Sequence, residues 1–164
     1  MEPPPLHANA RAVADAAARL GLELQIREFP DGTRTAEDAA RAIGVGVGQI
    51  VKSLVFAVDD HVVIALVSGP NRLDESRLAA AAGREGVAVG RVDAARVREA
   101  TGYPIGGVPP FGHATDLATY VDEDLLTYDE VWAAAGTPRH VFGVAPKDLV
   151  RVTGGTVAPL RVPG

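Results

Sequence analysis

Two apolar runs, Val51–Val58 and His61–Ser68, are separated only by Asp59-Asp60. A two-residue loop joins only antiparallel neighbours, so the pair predicts a β-hairpin. That hairpin excludes a purely parallel, doubly wound sheet. Side chains alternate between faces along a strand. Lys52, Leu54, Phe56 and Val58 therefore share one face of the first run, and Val51, Ser53, Val55 and Ala57 the other. Both faces are largely apolar, as for a central strand. Lys52 breaks the pattern, because a buried ammonium is costly unless it is paired. Two readings fit the residues alone. Lys52 is either a cation at the mouth of a pocket, aimed at a phosphate, carbonyl or carboxylate, or a strand-end lysine that snorkels to solvent.

The segments around the hairpin read as mixed α/β. Val13, Ala16, Ala17 and Leu20 recur at helical spacing over residues 8–20, and Gly21 stops them. Residues 22–29 alternate as a half-buried strand. Thr35, with Asp38 three residues on, predicts a capped helix over Ala36–Ile43 that ends at Gly44. Asp74 and Asp93 each cap a further helix, the first through about Ala82 and the second ending near Gly102. A short strand over residues 87–92 lies between them. Residues 119–121 and 141–144 read as strands, with another short strand over 125–128. Asp129-Glu130 before an alanine run and Gly136 after it favour a helix over 128–135. Pro146 suits the first position of a last helix ending at Gly154-Gly155, and the tail from Thr156 is expected to fray.

Composition narrows the function classes. At 164 residues the chain fits one domain, and no repeat or long linker divides it. The absence of cysteine excludes a disulfide scaffold, thiolate zinc, iron–sulfur clusters and a cysteine nucleophile. A net charge of -5 argues against a broad nucleic-acid surface, though not against contact with the end of a nucleic acid. Only Lys52 and Lys147 among the 16 basic residues are lysines. Arginine in their place, beside abundant alanine, fits a GC-rich coding bias and says little by itself. No apolar run is long enough to span a membrane, and the start lacks the marks of a signal peptide, so a soluble cytoplasmic protein is expected. His7, His61, His113 and His140 lack metal-ligand spacing, and neither metal nor cofactor is expected.

A second segment carries possible chemistry. Residues 101–113 contain Gly106-Gly107 and Pro109-Pro110 and cannot form regular structure. Paired glycines let a backbone approach a ligand and direct N–H groups at an oxyanion or ester carbonyl. The flanking prolines stiffen the loop. A structural turn is the plainer reading. His113, directly after the loop, is the one histidine placed near a site. Among Asp122, Glu123 and Asp124, one carboxylate is expected to face a pocket; Glu123 and Asp124 read as a solvated turn.

These residues, taken together, resemble the YbaK/EbsC family, also called the prolyl-tRNA synthetase-associated editing domain superfamily. Thr35-Ala36-Glu37-Asp38-Ala39-Ala40 is similar to the family's Thr-Ala-Glu-x-Ala-Ala helix. Gln49 through Phe56 is similar to its Lys-Thr/Ser-Leu strand, and Gly102 through His113 to its Gly-x-x-x-Pro loop. Val121-Asp122 and Gly136-Thr137-Pro138 fit as well. The order and spacing of the segments carry the match from about Ala8 to Thr156.

The resemblance implies one α/β domain over residues 8–157, after a flexible leader (1–7) and before a short tail (158–164). It implies a mixed central sheet curled toward a barrel, with helices around it. It implies an aminoacyl-tRNA deacylase that hydrolyses the ester of a mischarged amino acid at the tRNA 3′ end. Lys52, Gly106 and Gly107 would form the catalytic set. Phe29, Ser53, Val108, Pro109, Pro110, His113 and Asp122 would bind the substrate. The partners implied are the tRNA acceptor end and an aminoacyl-tRNA synthetase. Relatives that deacylate cysteinyl-tRNA(Pro) carry serine where this chain has Pro109, so their specificity does not carry over. The alternative is a non-catalytic nucleotide- or synthetase-binding module of the same fold.

Overall fold

A computed structural model describes residues 7–33 and 35–163. In chain order the elements are α1 (Ala8–Arg19), β1 (Ile26–Glu28), α2 (Ala36–Ile43), β2 (Val51–Val58), β3 (His61–Ser68), α3 (Glu75–Ala81), β4 (Val89–Arg91), α4 (Ala94–Thr101), β5 (Ala118–Asp122), β6 (Val131–Ala134), β7 (His140–Val144), α5 (Pro146–Thr153) and β8 (Thr156–Ala158). Short 3-10 turns cover Val47–Gln49 and Glu123–Thr127. Apart from His7, the expected leader lies outside the described residues.

The local signals act as the sequence predicts. Asp59 and Asp60 take positive φ of 46° and 69°, the backbone that a tight hairpin turn requires. β2 and β3 pair from Val51↔Ser68 to Val58↔His61. Thr35, Asp74 and Asp93 each accept a backbone N–H three residues on, which satisfies an otherwise unpaired donor at a helix start. Gly44, Gly102 and Gly154 close α2, α4 and α5 in the left-handed conformation.

The strands form two sheets rather than one. The larger has the order β4-β2-β3-β5-β8, and the smaller, fully antiparallel, has β1-β7-β6. β2 is antiparallel to β3 and β4, while β3, β5 and β8 run parallel. A single bridge between Ile50 and Trp132 links the sheets, too little to merge them. Both sheets are open, which corrects the expected single sheet curled toward a barrel. The larger sheet is buried on both faces. Phe56 and Val58 pack with Ala65, Val67, Leu78 and Leu160. On the other face Val51 packs with Ile64, Leu66, Val121, Phe142 and Leu149.

Three local expectations are corrected. Residues 128–135 hold strand β6, not a helix. Val131, Ala133 and Ala135 are buried while Trp132 and Ala134 are only half-buried, and β6 pairs with β7. Pairing outweighs the helical leaning of the alanines. Residues 125–128 lie in a 3-10 turn and its end rather than a strand. The tail from Thr156 does not fray: β8 pairs with β5, Leu160 is fully buried, and the Val162 N–H donates to the Arg72 carbonyl. In addition, only Ile26–Glu28 of the alternating 22–29 run pairs as strand, although Leu22, Leu24 and Ile26 all turn inward onto the core.

Candidate active site

β4 is short and meets β2 only through Phe56, Ala57 and Val58. Residues 52–55 therefore have β3 on one side and no strand on the other. Pairing alternates along an antiparallel ladder, so Ser53 and Val55 direct their backbone N–H and C=O groups toward this open edge. A cleft of about 890 Å³ lies along it, lined by Lys52, Ser53, Leu54 and Val55 on one side and Ile105, Gly106 and Val108 on the other. A smaller cavity of about 380 Å³ shares Lys52, Ser53, Leu54, Ile105, Gly106 and Val108 with the cleft. It continues toward Ala36, Ile43, Ile50, Trp132 and Val141 and is chiefly apolar. The shared residues form a seam between a larger polar space and a smaller apolar one.

Lys52 stands on this seam. Partial burial pulls its pKa below the usual lysine value of 10.5, opposed by the negative charges of Glu37 and Asp122. Its Nζ donates to the Asn71 carbonyl. Asn71 is held in turn: its Nδ2 donates to Asp122 Oδ2 at 2.8 Å and to Asp124 Oδ2 at 2.8 Å. Asp122 is fully buried and also accepts the Ser68 N–H at 3.1 Å and the Asp124 N–H at 3.0 Å. Its role is to fix the chain that receives the Lys52 ammonium. It lines neither cavity, contrary to the expectation that one carboxylate of this run faces a pocket.

The two loop glycines serve different ends. Gly106 has φ of +89°, and the Gly107 N–H donates to the Pro104 carbonyl at 2.9 Å. That is a tight turn which needs a left-handed residue at Gly106. Gly107 packs against the neighbouring chain, where a Cβ would come within 2.8 Å of the Gly136 backbone. Its N–H is spent within the turn, which corrects the expectation that both glycines offer theirs to a ligand. The N–H groups of Gly106 and Val108 find no acceptor among the described residues.

Lys52, Ser53, Gly106 and Val108 thus come together. Other expected site residues do not. Pro109 and Pro110 are buried and line neither cavity. His113 Nε2 lies 2.7 Å from the Pro109 carbonyl and braces the loop from behind. Burial lowers its pKa, opposed by the bond to the Pro109 carbonyl, which Nε2 donates in the Nε2–H tautomer. Phe29 sits beneath the Arg27 guanidinium, 5.0 Å from ring centre to Cζ, and lines neither space. Sequence reasoning missed Asn71, Arg72, Arg91, Ile105 and Trp132 as lining residues. Their positions follow from strand pairing and loop packing, not from a local motif. Ser53 Oγ is buried without a hydrogen-bond partner among the described residues.

The chain matches other proteins across most of this architecture. Residues 30–152 fit the model of the aminoacyl-tRNA editing domain. The uncharacterised protein YwhH of Bacillus subtilis is 33% identical over 128 residues, 77% of this chain and 80% of that one. A proline–tRNA ligase of Desulforamulus reducens is 32% identical over 126 residues, which make up 77% of this chain but 22% of the ligase. A crystal structure of a proposed trans-editing enzyme for prolyl-tRNA synthetase superposes with a TM-score of 0.91 at 48% identity, covering 97% of this chain and 100% of that one. With a family match that spans the hairpin, the seam and the glycine loop, the chain belongs to the aminoacyl-tRNA editing domain family.

Proposed function

We propose that this protein hydrolyses the ester joining a wrong amino acid to the 3′ adenosine of a tRNA, acting in trans beside prolyl-tRNA synthetase. The single observation that carries the reading is the seam, with Lys52 on one wall and, on the other, Gly106 and Val108, whose N–H groups find no acceptor among the described residues. The apolar cavity takes the amino-acid side chain, and the polar cleft takes the terminal nucleoside. The ester then lies at the seam. Water adds to the carbonyl carbon, the carbonyl oxygen becomes an oxyanion, and the Lys52 ammonium and the loop N–H groups stabilise it. Collapse breaks the bond from the carbonyl carbon to the ribose oxygen, a proton of the attacking water passes to that oxygen to give the free hydroxyl, and the amino acid is released. An aminoacyl ester is already activated, so orientation and electrostatics supply most of the rate. Similarity to one segment of proline–tRNA ligases and to a proposed trans-editing enzyme supports tRNA(Pro) as the substrate tRNA and the synthetase as partner.

The test is a panel of mischarged tRNA(Pro) species incubated with the protein. At least one is expected to lose its amino acid faster than in buffer. Release no faster than buffer for every member sinks the enzyme reading. A second reading, a binding module without turnover, is favoured by the absence of any carboxylate or imidazole among the seam residues. Tight binding of a non-hydrolysable aminoacyl-adenosine with no turnover across the panel would select it.

A further inference from the structure

The cleft extends well past Lys52. Arg72 and Arg91 line it too, at exposed positions. Arg72 directly follows Asn71, whose carbonyl receives the Lys52 ammonium, so it lies near the lysine end. Arg91 is placed by strand register. It pairs opposite Phe56, and directly paired residues project from the same face of a sheet. Lys52 and Phe56 share that face, so Lys52, Phe56 and Arg91 lie on one side of β2. Four residues of strand separate Lys52 from Phe56, about 13 Å along β2, and Arg91 stands one strand further across, about 5 Å. The backbones that carry these two cations are thus about 14 Å apart, far enough for their side chains to reach successive phosphates.

The opposing charge in the cleft is limited. Two carboxylates, Asp74 and Glu75, line it against the three cations Lys52, Arg72 and Arg91, and Asp74 also caps α3, accepting the Arg77 N–H at 3.1 Å. None of the described carboxylates forms an ion pair with Arg72 or Arg91, which they share with most arginines of the chain. A cleft of about 890 Å³ is also near the upper end of what a single small ligand fills, roughly 300–1,000 Å³.

We infer that Arg72 and Arg91 form a short phosphate track that binds the phosphodiesters immediately 5′ of the terminal adenosine. The inference rests on the deacylase reading for the seating of the adenosine at Lys52. It reconciles an acidic protein with a nucleic-acid substrate: two arginines suffice for a single-stranded end, with no basic surface for the tRNA body.

The test reads binding and turnover separately. Binding uses an uncharged, 5′-labelled RNA minihelix with a single-stranded CCA end, followed by fluorescence anisotropy over a salt series. Arg72→Gln with Arg91→Gln is expected to weaken binding by roughly tenfold or more, since bonds from guanidinium to phosphate are charge-assisted. The slope of log affinity against log salt is expected to shrink by about 0.7 per arginine removed. Arg41→Gln with Arg84→Gln changes the net charge equally and is expected to leave both readouts unchanged. Turnover then compares the panel's best amino acid on the minihelix and on adenosine alone. The Arg72/Arg91 variant is expected to raise KM on the minihelix and leave the nucleoside ester unaffected. Equal binding and salt slope in the wild type and that variant overturn the track, as does equal weakening by the Arg41/Arg84 control. Arginine-dependent binding without turnover of any ester supports the track and sinks the deacylase reading instead.

Discussion

The two halves of β2 differ in what lies beside them. Phe56, Ala57 and Val58 have a strand on each edge, β3 and β4, and Phe56 and Val58 are buried. Lys52 through Val55 have β3 alone, and all four are only half-buried. One strand thus supplies both a structural core and one wall of a cleft. The early end of β4 separates them. A lysine at position 56 would have to bury its charge between two neighbours; at position 52 it reaches an open cleft and a backbone carbonyl. Where the sheet is complete the side chains serve stability, and where it is incomplete they are available for chemistry.

Substitutions in the two halves should therefore separate stability from activity. The largest stability effect is expected at the closed half. Leu78→Ala, which removes a fully buried side chain clustered with Phe56 and Val58, should cost about 3–5 kcal/mol in chemical denaturation. Activity per folded molecule should stay close to wild type. A small loss of stability would contradict the assignment of that half to the core.

An intermediate effect is expected behind the open half. Asp122→Asn leaves the buried N–H groups of Ser68 and Asp124 with a weaker acceptor. It should cost about 1–3 kcal/mol. It should also lower kcat/KM, because Asn71 loses one of the carboxylates that hold it. A variant as stable as wild type would remove Asp122 from the support of the Lys52 wall.

The smallest stability effect is expected on the open half itself. Ser53 Oγ is buried with no partner among the described residues. Ser53→Ala removes an unsatisfied group, and the melting temperature should stay level or rise. A drop of several degrees would point to a bond that bound water supplies to this hydroxyl.

How much of this was legible in the sequence depends on the range of the contacts. The hairpin, its aspartate turn and the helix caps follow from neighbours within a few residues, and their positions could be read directly. The two faces of β2 could be read from period-two alternation. Lys52 stood out as a charge in an apolar run, and the glycine loop as a stretch unable to form helix or strand. What was not legible depends on pairing over long range. β6 resembles a helix until β7 is laid beside it, and Leu160 is one of several apolar residues in a short tail with nothing local to mark it as the buried one. Asp122 and His113 are expected from the sequence to touch the substrate, but Asp122 holds Asn71 and His113 lies against the Pro109 carbonyl, partners that no local pattern reveals. Arg91 enters the cleft solely because it pairs opposite Phe56.

The half-buried lysine also predicts a pH dependence. Burial lowers the Lys52 pKa in the folded protein below the value of 10.5 that applies when it is exposed. Between those two values the unfolded chain binds more protons, so this residue adds stability as pH rises through that window. Activity should run the other way. If the cation is needed, kcat/KM falls as pH rises through the lowered pKa, with a midpoint below 10.5. Lys52→Arg, which stays protonated, should shift that fall to higher pH in whatever activity it retains. An alkaline limb that is unchanged in Lys52→Arg would assign the titration to another group.

The central claim is that the open half of β2 acts on an aminoacyl ester through Lys52. Single-turnover deacylation of the mischarged tRNA(Pro) panel at neutral pH, with wild type and Lys52→Ala side by side, tests it most directly. The account predicts that wild type releases at least one amino acid well above the buffer rate. It predicts that the variant loses roughly a hundredfold of that rate, as for removal of one electrostatic contact to a transition state, with its melting temperature preserved. A variant as fast as wild type, or a wild type no faster than buffer, would contradict the account.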